Sequence, residues 1–295
     1  MDHLVPPGAR EEYVDVGVGR LRVLRAGGAR PGPAPLVLLH GSGPDGAAVS
    51  WYRLLEPLSA DRRVWALDLP GWGGSLEAGP VGGPRELAAV VDEAMGALGV
   101  ERAVVAGVSM GGDIALNLAL EHPERVAGLV LVAPAGLVPR LRDRFTQAGA
   151  WAAVHTPDPL VLPVLRAVDR YFPEMSVRAV VRNPSAIPAP VVEEFTRLIR
   201  RPGSQLGHLG YNRATVGRRG MLNDLSGRVH RIGVPALFFH GEDDPLVDPR
   251  GSRRAARLMP RARLVTVPDC GHWAQVECHD RFLAEVRAFL GAEDL

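Results

Sequence analysis

The chain contains no lysine; all 34 of its basic side chains are arginines. That absence excludes Schiff-base catalysis, lysine-held pyridoxal phosphate and the lysine of a nucleotide-binding P-loop. Cysteine is scarce, with only Cys270 and Cys278 present. Two are too few for a disulfide framework, and no metal-spaced Cys or His set surrounds them, so free thiols in a reducing cytosol and no metal site are expected. An excess charge of one sign is also missing: 34 basic against 33 acidic residues give +1, which points away from nucleic acid or another polyanion as partner. No apolar run reaches membrane-spanning length. Residues Met1 to Pro7 lack the basic start and apolar core of a signal peptide, so a cytoplasmic protein without membrane association is expected. The abundance of Ala, Gly, Pro, Arg and Val fits a high-GC bacterial gene.

What is present is an alternation of buried strands and helices. The 295 residues can bury a large core as one or two domains. Glu11 to Val18 and Arg20 to Arg25 read as a hairpin joined at Gly19. Leu36 to His40, Val64 to Asp68, Ala103 to Ala106 and Val126 to Ala133 are short apolar runs, as expected of strands covered on both faces. Helical patterns span Ala47 to Leu58 and Glu86 to Leu98, the latter with Leu87, Val90, Val91, Ala94 and Leu98 on one face. From Gly136 to Arg231 the rhythm breaks into Pro- and Arg-rich helical patterns with no buried strand. It resumes with strands at Pro235 to His240 and Arg263 to Val267, and helices near Arg250 to Leu258 and His279 to Leu290. No internal repeat is visible. This order predicts an α/β fold with a mostly parallel sheet. Residues 1–136 and 232–295 form its core, and a helical cap, 137–231, is inserted after the strand that follows the key turn.

That turn is Gly107-Val108-Ser109-Met110-Gly111, between an apolar strand and a helical pattern. In that context G-x-S-x-G is a nucleophile elbow, not a flexible Gly-Ser-Gly turn. The glycines avoid collisions, and the turn lifts the Ser109 hydroxyl to the positive end of the following helix, where an oxyanion is favoured.

A serine needs a base, and the base an orienting acid. Two strand ends downstream offer them, as open α/β sheets do. One runs into Gly241-Glu242-Asp243-Asp244 and the other into Pro268-Asp269-Cys270-Gly271-His272-Trp273. Ser109, Asp244 and His272 are thus the expected catalytic set. Asp244 is preferred over Glu242 and Asp243, which read as loop residues, and over Asp248, which is placed to cap the next helix. Of the nine histidines, His272 is singled out by position, while His40 reads as a loop anchor. The loop His40-Gly41-Ser42-Gly43-Pro44 falls where a second oxyanion donor belongs, so the amides of Met110 and Ser42 are the expected pair, with Gly41 or Gly43 as alternatives to Ser42. No cofactor is called for.

Together these segments, with Asp68-Leu69-Pro70-Gly71-Trp72-Gly73-Gly74-Ser75, resemble the α/β-hydrolase fold superfamily over nearly the whole chain. The Ser-Gly-Pro loop and the Cys270-Gly271-His272-Trp273-Ala274-Gln275 run are most similar to the meta-cleavage product hydrolases, which cut a C–C bond in vinylogous diketo acids. The resemblance implies a serine and histidine that promote ketonisation before C–C cleavage. That branch commonly carries asparagine directly before the nucleophile, where this chain has Val108, and another after the Ser-Gly-Pro loop, near Trp51 here. It also uses a cap arginine, for which Arg182, Arg197, Arg200 and Arg201 are candidates. Aspartate-nucleophile dehalogenases and epoxide hydrolases are excluded by the serine at the elbow.

The expected substrate is a small, fairly apolar carbonyl compound: an ester, a thioester or a vinylogous diketone. Trp273, Val108, Trp51, Tyr211 and Arg197 are its candidate pocket residues. Phe145, Trp151, Tyr171, Phe172 and Phe195 are further cap aromatics that would line the pocket or pack the cap. An alternative outcome is lyase, cyclase or cofactor-free perhydrolase chemistry on the same residues, in a biosynthetic pathway. A non-catalytic ligand-binding role is disfavoured by the intact Ser, His and Asp set. A homo-oligomer is compatible with the sequence.

Overall fold

The computed structural model describes residues 3–28, 32–171 and 180–295. Among them, eight strands form one sheet: β1 (Ala9–Val16), β2 (Gly19–Ala26), β3 (Leu36–Leu39), β4 (Val64–Leu67), β5 (Ala103–Val108), β6 (Val126–Val132), β7 (Ala236–Gly241) and β8 (Ala262–Val267). Their spatial order is β1-β2-β4-β3-β5-β6-β7-β8. The hairpin β1–β2 and the β2–β4 pair are antiparallel; every pairing from β4 onward is parallel.

Every residue of β3 through β7 is buried, because helices cover both faces. On one face, α3 (Pro84–Ala97), α4 (Met110–Glu121) and α9 (Pro249–Leu258) pack on Val37, Leu39, Val105, Leu129 and Phe238. On the other, α1 (Ala47–Ser50) and α11 (His279–Ala292) pack on Leu38, Val104, Ala106, Val108 and Phe239. The single helix expected from Ala47 to Leu58 is instead two turns, α1 and α2 (Leu55–Leu58). Pro57 explains the break: it has no N–H for the carbonyl of Arg53, and its ring would clash there in a continuous helix.

Between β6 and β7 the described residues form α5 (Arg144–Val154), α6 (Asp158–Tyr171), α7 (Ala189–Ile199) and α8 (Ser204–Thr215), with one isolated bridge at Val216 and Met221. Asp143 starts α5 by accepting from the amides of Phe145 and Thr146 at 2.8 and 2.9 Å. Gly207 lets α8 sit directly on the loop after β4, since a Cβ there would lie 2.8 Å from the Gly71 carbonyl and 2.9 Å from the Trp72 ring. A short α10 (Ala274–Glu277) completes the helices after β8. No helix among the described residues is long and apolar enough to cross a membrane.

Candidate active site

The sheet ends β5 at Val108 and α4 begins at Met110, so Ser109 alone makes the turn. It does so at φ 53° and ψ −113°, a conformation few side-chain-bearing residues adopt. The backbone fixes it from both sides. Its N–H donates to the Val132 carbonyl at 2.9 Å, and its carbonyl accepts from Asp113 and Ala135 at 3.1 and 3.0 Å. A Cβ on Gly107 would collide with the backbone of Gly111, and one on Gly111 with that of Leu39 and His40. The Ser109 hydroxyl lines a cavity and enters no hydrogen bond among the described residues.

The same cavity is lined by Asp244 and His272, from the turns after β7 and β8. His272 Nδ1 lies 2.7 Å from Asp244 Oδ2, with both side chains buried. Asp244 Oδ1 accepts from the amides of Leu246 and Val247 at 2.8 and 2.9 Å. Oδ2 is shared with His240, whose Nε2 is 3.1 Å away. That Nε2 also faces the Val247 carbonyl at 3.1 Å, which can only accept, so Nε2 carries a hydrogen. Burial alone would raise the Asp244 pKa; hydrogen bonds from His240, His272 and the Val247 amide outweigh it and hold the carboxyl well below the usual range. The other acids of the turn have separate partners. Glu242 accepts from Thr266, Asp243 sits 4.0 Å from Arg182, and Asp248 caps α9 through the Arg250 amide. His240 lies at a strand end, inside an apolar run, where nothing in the sequence distinguishes it from core.

His40 is buried and anchors the loop after β3: Nδ1 donates to the Gly41 carbonyl at 2.7 Å and Nε2 accepts from the Leu69 amide at 3.0 Å. Gly41 was an expected alternative oxyanion donor, but its amide is committed to Asp45 at 2.9 Å. The amides of Ser42 and Gly43 make no hydrogen bond among the described residues. Met110 is the first residue of α4, where an amide has no partner within the helix.

The cavity holds about 950 Å³, with apolar walls from Leu137, Val154, Phe195 and Trp273. Of the expected pocket residues, Trp273 and Tyr211 line it, and Phe195 meets Trp273 edge-on at 5.7 Å. Val108 does not. Strand alternation puts it with Val104 and Ala106 on the sheet face that packs on α11. Trp51 is fully buried in the same core cluster. Arg197 turns away along α7, bonding Glu194 at 2.6 Å and His3 at 2.9 Å. Arg200 and Arg201 line a separate cavity with Tyr171, and Arg182 is exposed on the surface. Phe145 is exposed, Trp151 stacks on His155, and Phe172 lies outside the described residues. The arginines that do line the main cavity are Arg140, Arg142 and Arg250.

Reasoning from sequence placed Tyr211 in the pocket but missed the polar wall to which it belongs. His208, Tyr211, Asn212 and Thr215, at i, i+3, i+4 and i+7 of α8, all line the cavity. Their helical spacing was the available signal. Tyr211 donates from its hydroxyl to Asp113 at 2.8 Å, and the Asn223 carboxamide does so at 2.5 Å. Asp113 is completely buried one turn into α4, and burial pushes its pKa up to about 7 despite hydrogen bonds from Asn223, Tyr211 and Asn117. A carboxyl whose folded pKa is raised stabilises the fold below its unfolded pKa, near 4, and loses that contribution as pH rises toward 7. Between roughly pH 4 and pH 7, Asp113→Asn should therefore remove a downward slope of about 1.4 kcal/mol per pH unit from wild-type stability. Urea unfolding of both proteins across that window measures the difference; parallel curves would show that Asp113 does not titrate there.

Among the described residues, no group of three or more His, Cys, Asp or Glu side chains is placed to hold a metal ion. Cys270 and Cys278 are free thiols whose sulfurs lie 2.8 Å apart beside the His272 turn.

The family model for the alpha/beta hydrolase fold matches residues 34–277. The chain is 31% identical over 268 residues to a 2-hydroxymuconate semialdehyde hydrolase of Pseudomonas sp. (strain CF600), covering 88% of each. It is 30% identical over 286 residues to the dihydrolipoyllysine-residue acetyltransferase component of the acetoin cleaving system of Pseudomonas putida, covering 96% of this chain and 70% of that one. Among solved structures, a 2-hydroxy-6-oxo-6-phenylhexa-2,4-dienoate hydrolase from Rhodococcus sp. strain RHA1 has the same fold. Its TM-score is 0.73 at 23% identity, over 96% of this chain and 98% of that one.

Proposed function

The chain belongs to the alpha/beta hydrolase fold family, and from that premise we propose that it is a serine hydrolase in which Ser109 is nucleophile, His272 base and Asp244 the orienting acid. One observation carries this reading. The left-handed Ser109, at φ 53°, opens on the cavity that also receives His272, and His272 Nδ1 is 2.7 Å from Asp244.

The chemistry follows from the protonation pattern. A hydrogen on Nδ1 of His272, held by Asp244, leaves Nε2 with a lone pair to take the Ser109 proton. Attack on a carbonyl places negative charge on its oxygen, beside the amides of Met110 and Ser42. His272 then returns the proton to the leaving group, and water repeats the sequence to release the acid. From an ester or thioester the departing group takes that proton and leaves as an alcohol or thiol, while the acyl group stays on Ser109. A C–C bond can leave only where the departing carbon is stabilised as an enolate, as in a vinylogous diketone.

The 950 Å³ cavity and its mainly apolar walls suit a small carbonyl compound, and the described residues of 137–231 act as the cap over it. The relative named as a semialdehyde hydrolase favours the C–C bond as one target. The test is labelling with a fluorophosphonate probe followed by peptide mapping. A single adduct on Ser109 is expected; an unmodified Ser109, or an adduct on another residue, overturns the reading.

A further inference from the structure

Histidine 208 sits where a residue needed only for shape would be apolar. It projects from α8 into the interior, yet its ring is exposed, and the surface it exposes lines the Ser109 cavity. Nδ1 is 2.8 Å from the Ser42 hydroxyl, on the loop proposed to supply an oxyanion amide. Asn212 Nδ2 is 3.2 Å from Nδ1 and 3.1 Å from Nε2. Nearly equal distances place that amide over the ring face, because an in-plane approach equidistant from both nitrogens would drive it onto Cε1. Nε2 therefore has no in-plane partner among the described residues.

The hydrogen-bond donors on the rest of the α8 stripe are already committed. Tyr211 gives its hydroxyl to Asp113, Thr215 bonds the Tyr211 carbonyl at 2.9 Å, and Asn212 bonds the His208 carbonyl at 2.8 Å. The Asn212 carboxamide oxygen can only accept, so the His208 ring edge is the donor of this wall left for something in the cavity. Burial lowers its pKa and no charged side chain contributes to the shift, so the ring is neutral at neutral pH. The Ser42 hydroxyl meets no other acceptor among the described residues, so its hydrogen goes to Nδ1 and the ring's own hydrogen sits on Nε2.

We propose that His208 contacts the substrate, donating from Nε2 to an oxygen beyond the scissile carbonyl, and so selects acyl groups that carry a second oxygen acceptor. This rests on the serine-hydrolase reading, since it places the scissile carbonyl at Ser109. A site built to complete a buried hydrogen bond discriminates against the analogue that lacks the partner.

The test compares p-nitrophenyl levulinate with p-nitrophenyl pentanoate, which have the same chain length and differ by one ketone oxygen. Wild type should favour the levulinate in kcat/KM. In His208→Ala that preference should fall about tenfold, the worth of one hydrogen bond, whatever the absolute rates. His208→Gln, whose amide still donates, should retain part of it. No levulinate preference in wild type, an unchanged ratio in His208→Ala, or parallel losses on both esters would each overturn the proposal. Fluorophosphonate labelling of the same wild-type sample separates the two claims. An unlabelled Ser109 sinks the serine-hydrolase reading itself, whereas a labelled Ser109 with a flat ester ratio sinks only the role of His208.

Discussion

Replacing Ser109 with alanine is expected to lower ester turnover by at least about 10⁴-fold, the scale seen when a serine nucleophile is removed and only binding and oxyanion stabilisation remain. The fold should not suffer. The hydroxyl enters no hydrogen bond among the described residues, so deleting it orphans no partner. Alanine keeps the Cβ and therefore the same backbone strain at φ 53°. Stability in urea should stay within about 0.5 kcal/mol of wild type. Initial rates on p-nitrophenyl esters, read beside urea midpoints, give both numbers. Near-normal turnover in a folded Ser109→Ala protein would remove the nucleophile from the proposal. If His272→Ala were inactive in that case, proton transfer without acyl transfer would become the better account, as in a lyase or cyclase.

The elbow was legible in the sequence because its constraints are local. Strand, glycine, serine, glycine and helix sit within a few residues, and the collisions that require glycine at 107 and 111 involve the same turn or the strand beside it. His272 and Asp244 were legible because a parallel sheet delivers the loops after β7 and β8 to one edge. The pocket was not legible in the same way, because direction there depends on tertiary packing. Val108 precedes Ser109, but a strand's period of two carries its side chain to the opposite face. Arg197 sits on a helix that does pack near the site through Phe195, yet its own guanidinium finds Glu194 one turn back. Conversely, Arg140 and Arg142 lie in an irregular stretch with no period to read, and only the folded chain brings them to the cavity. The polar stripe of α8 did have a period. Tyr211 on it is an expected pocket residue, but only the folded chain shows that the face carrying His208 and Thr215 turns inward over Ser42 and Asp113.

Asp244→Asn is the second large effect, expected to cost about 10⁴-fold in turnover through the tautomer of His272. Asp244 is an acceptor at all four of its contacts. Two amides, from Leu246 and Val247, face Oδ1, and two imidazole nitrogens, from His240 and His272, face Oδ2. An asparagine satisfies the backbone amides with its oxygen and so presents NH₂ to both rings. His272 must then accept at Nδ1, which moves its hydrogen to Nε2 and leaves no lone pair to take the Ser109 proton. His240 cannot relieve the conflict, since the Val247 carbonyl needs the hydrogen on its Nε2. Glu242, Asp243 and Asp248 supply the control, because each bonds elsewhere. Their amide substitutions should leave turnover within a few-fold of wild type. Rates for the four single variants decide which carboxylate is the acid, and a loss at Asp243 or Glu242 equal to that at Asp244 would break the assignment. The pH profile adds a second reading. The hydrogen bonds that depress the Asp244 pKa keep it ionised as pH falls, so wild-type activity should drop on the acid side in a single step. Two ionisations on that limb would mean that Asp244 also loses its charge there, and its role as a fixed acceptor would have to be redrawn.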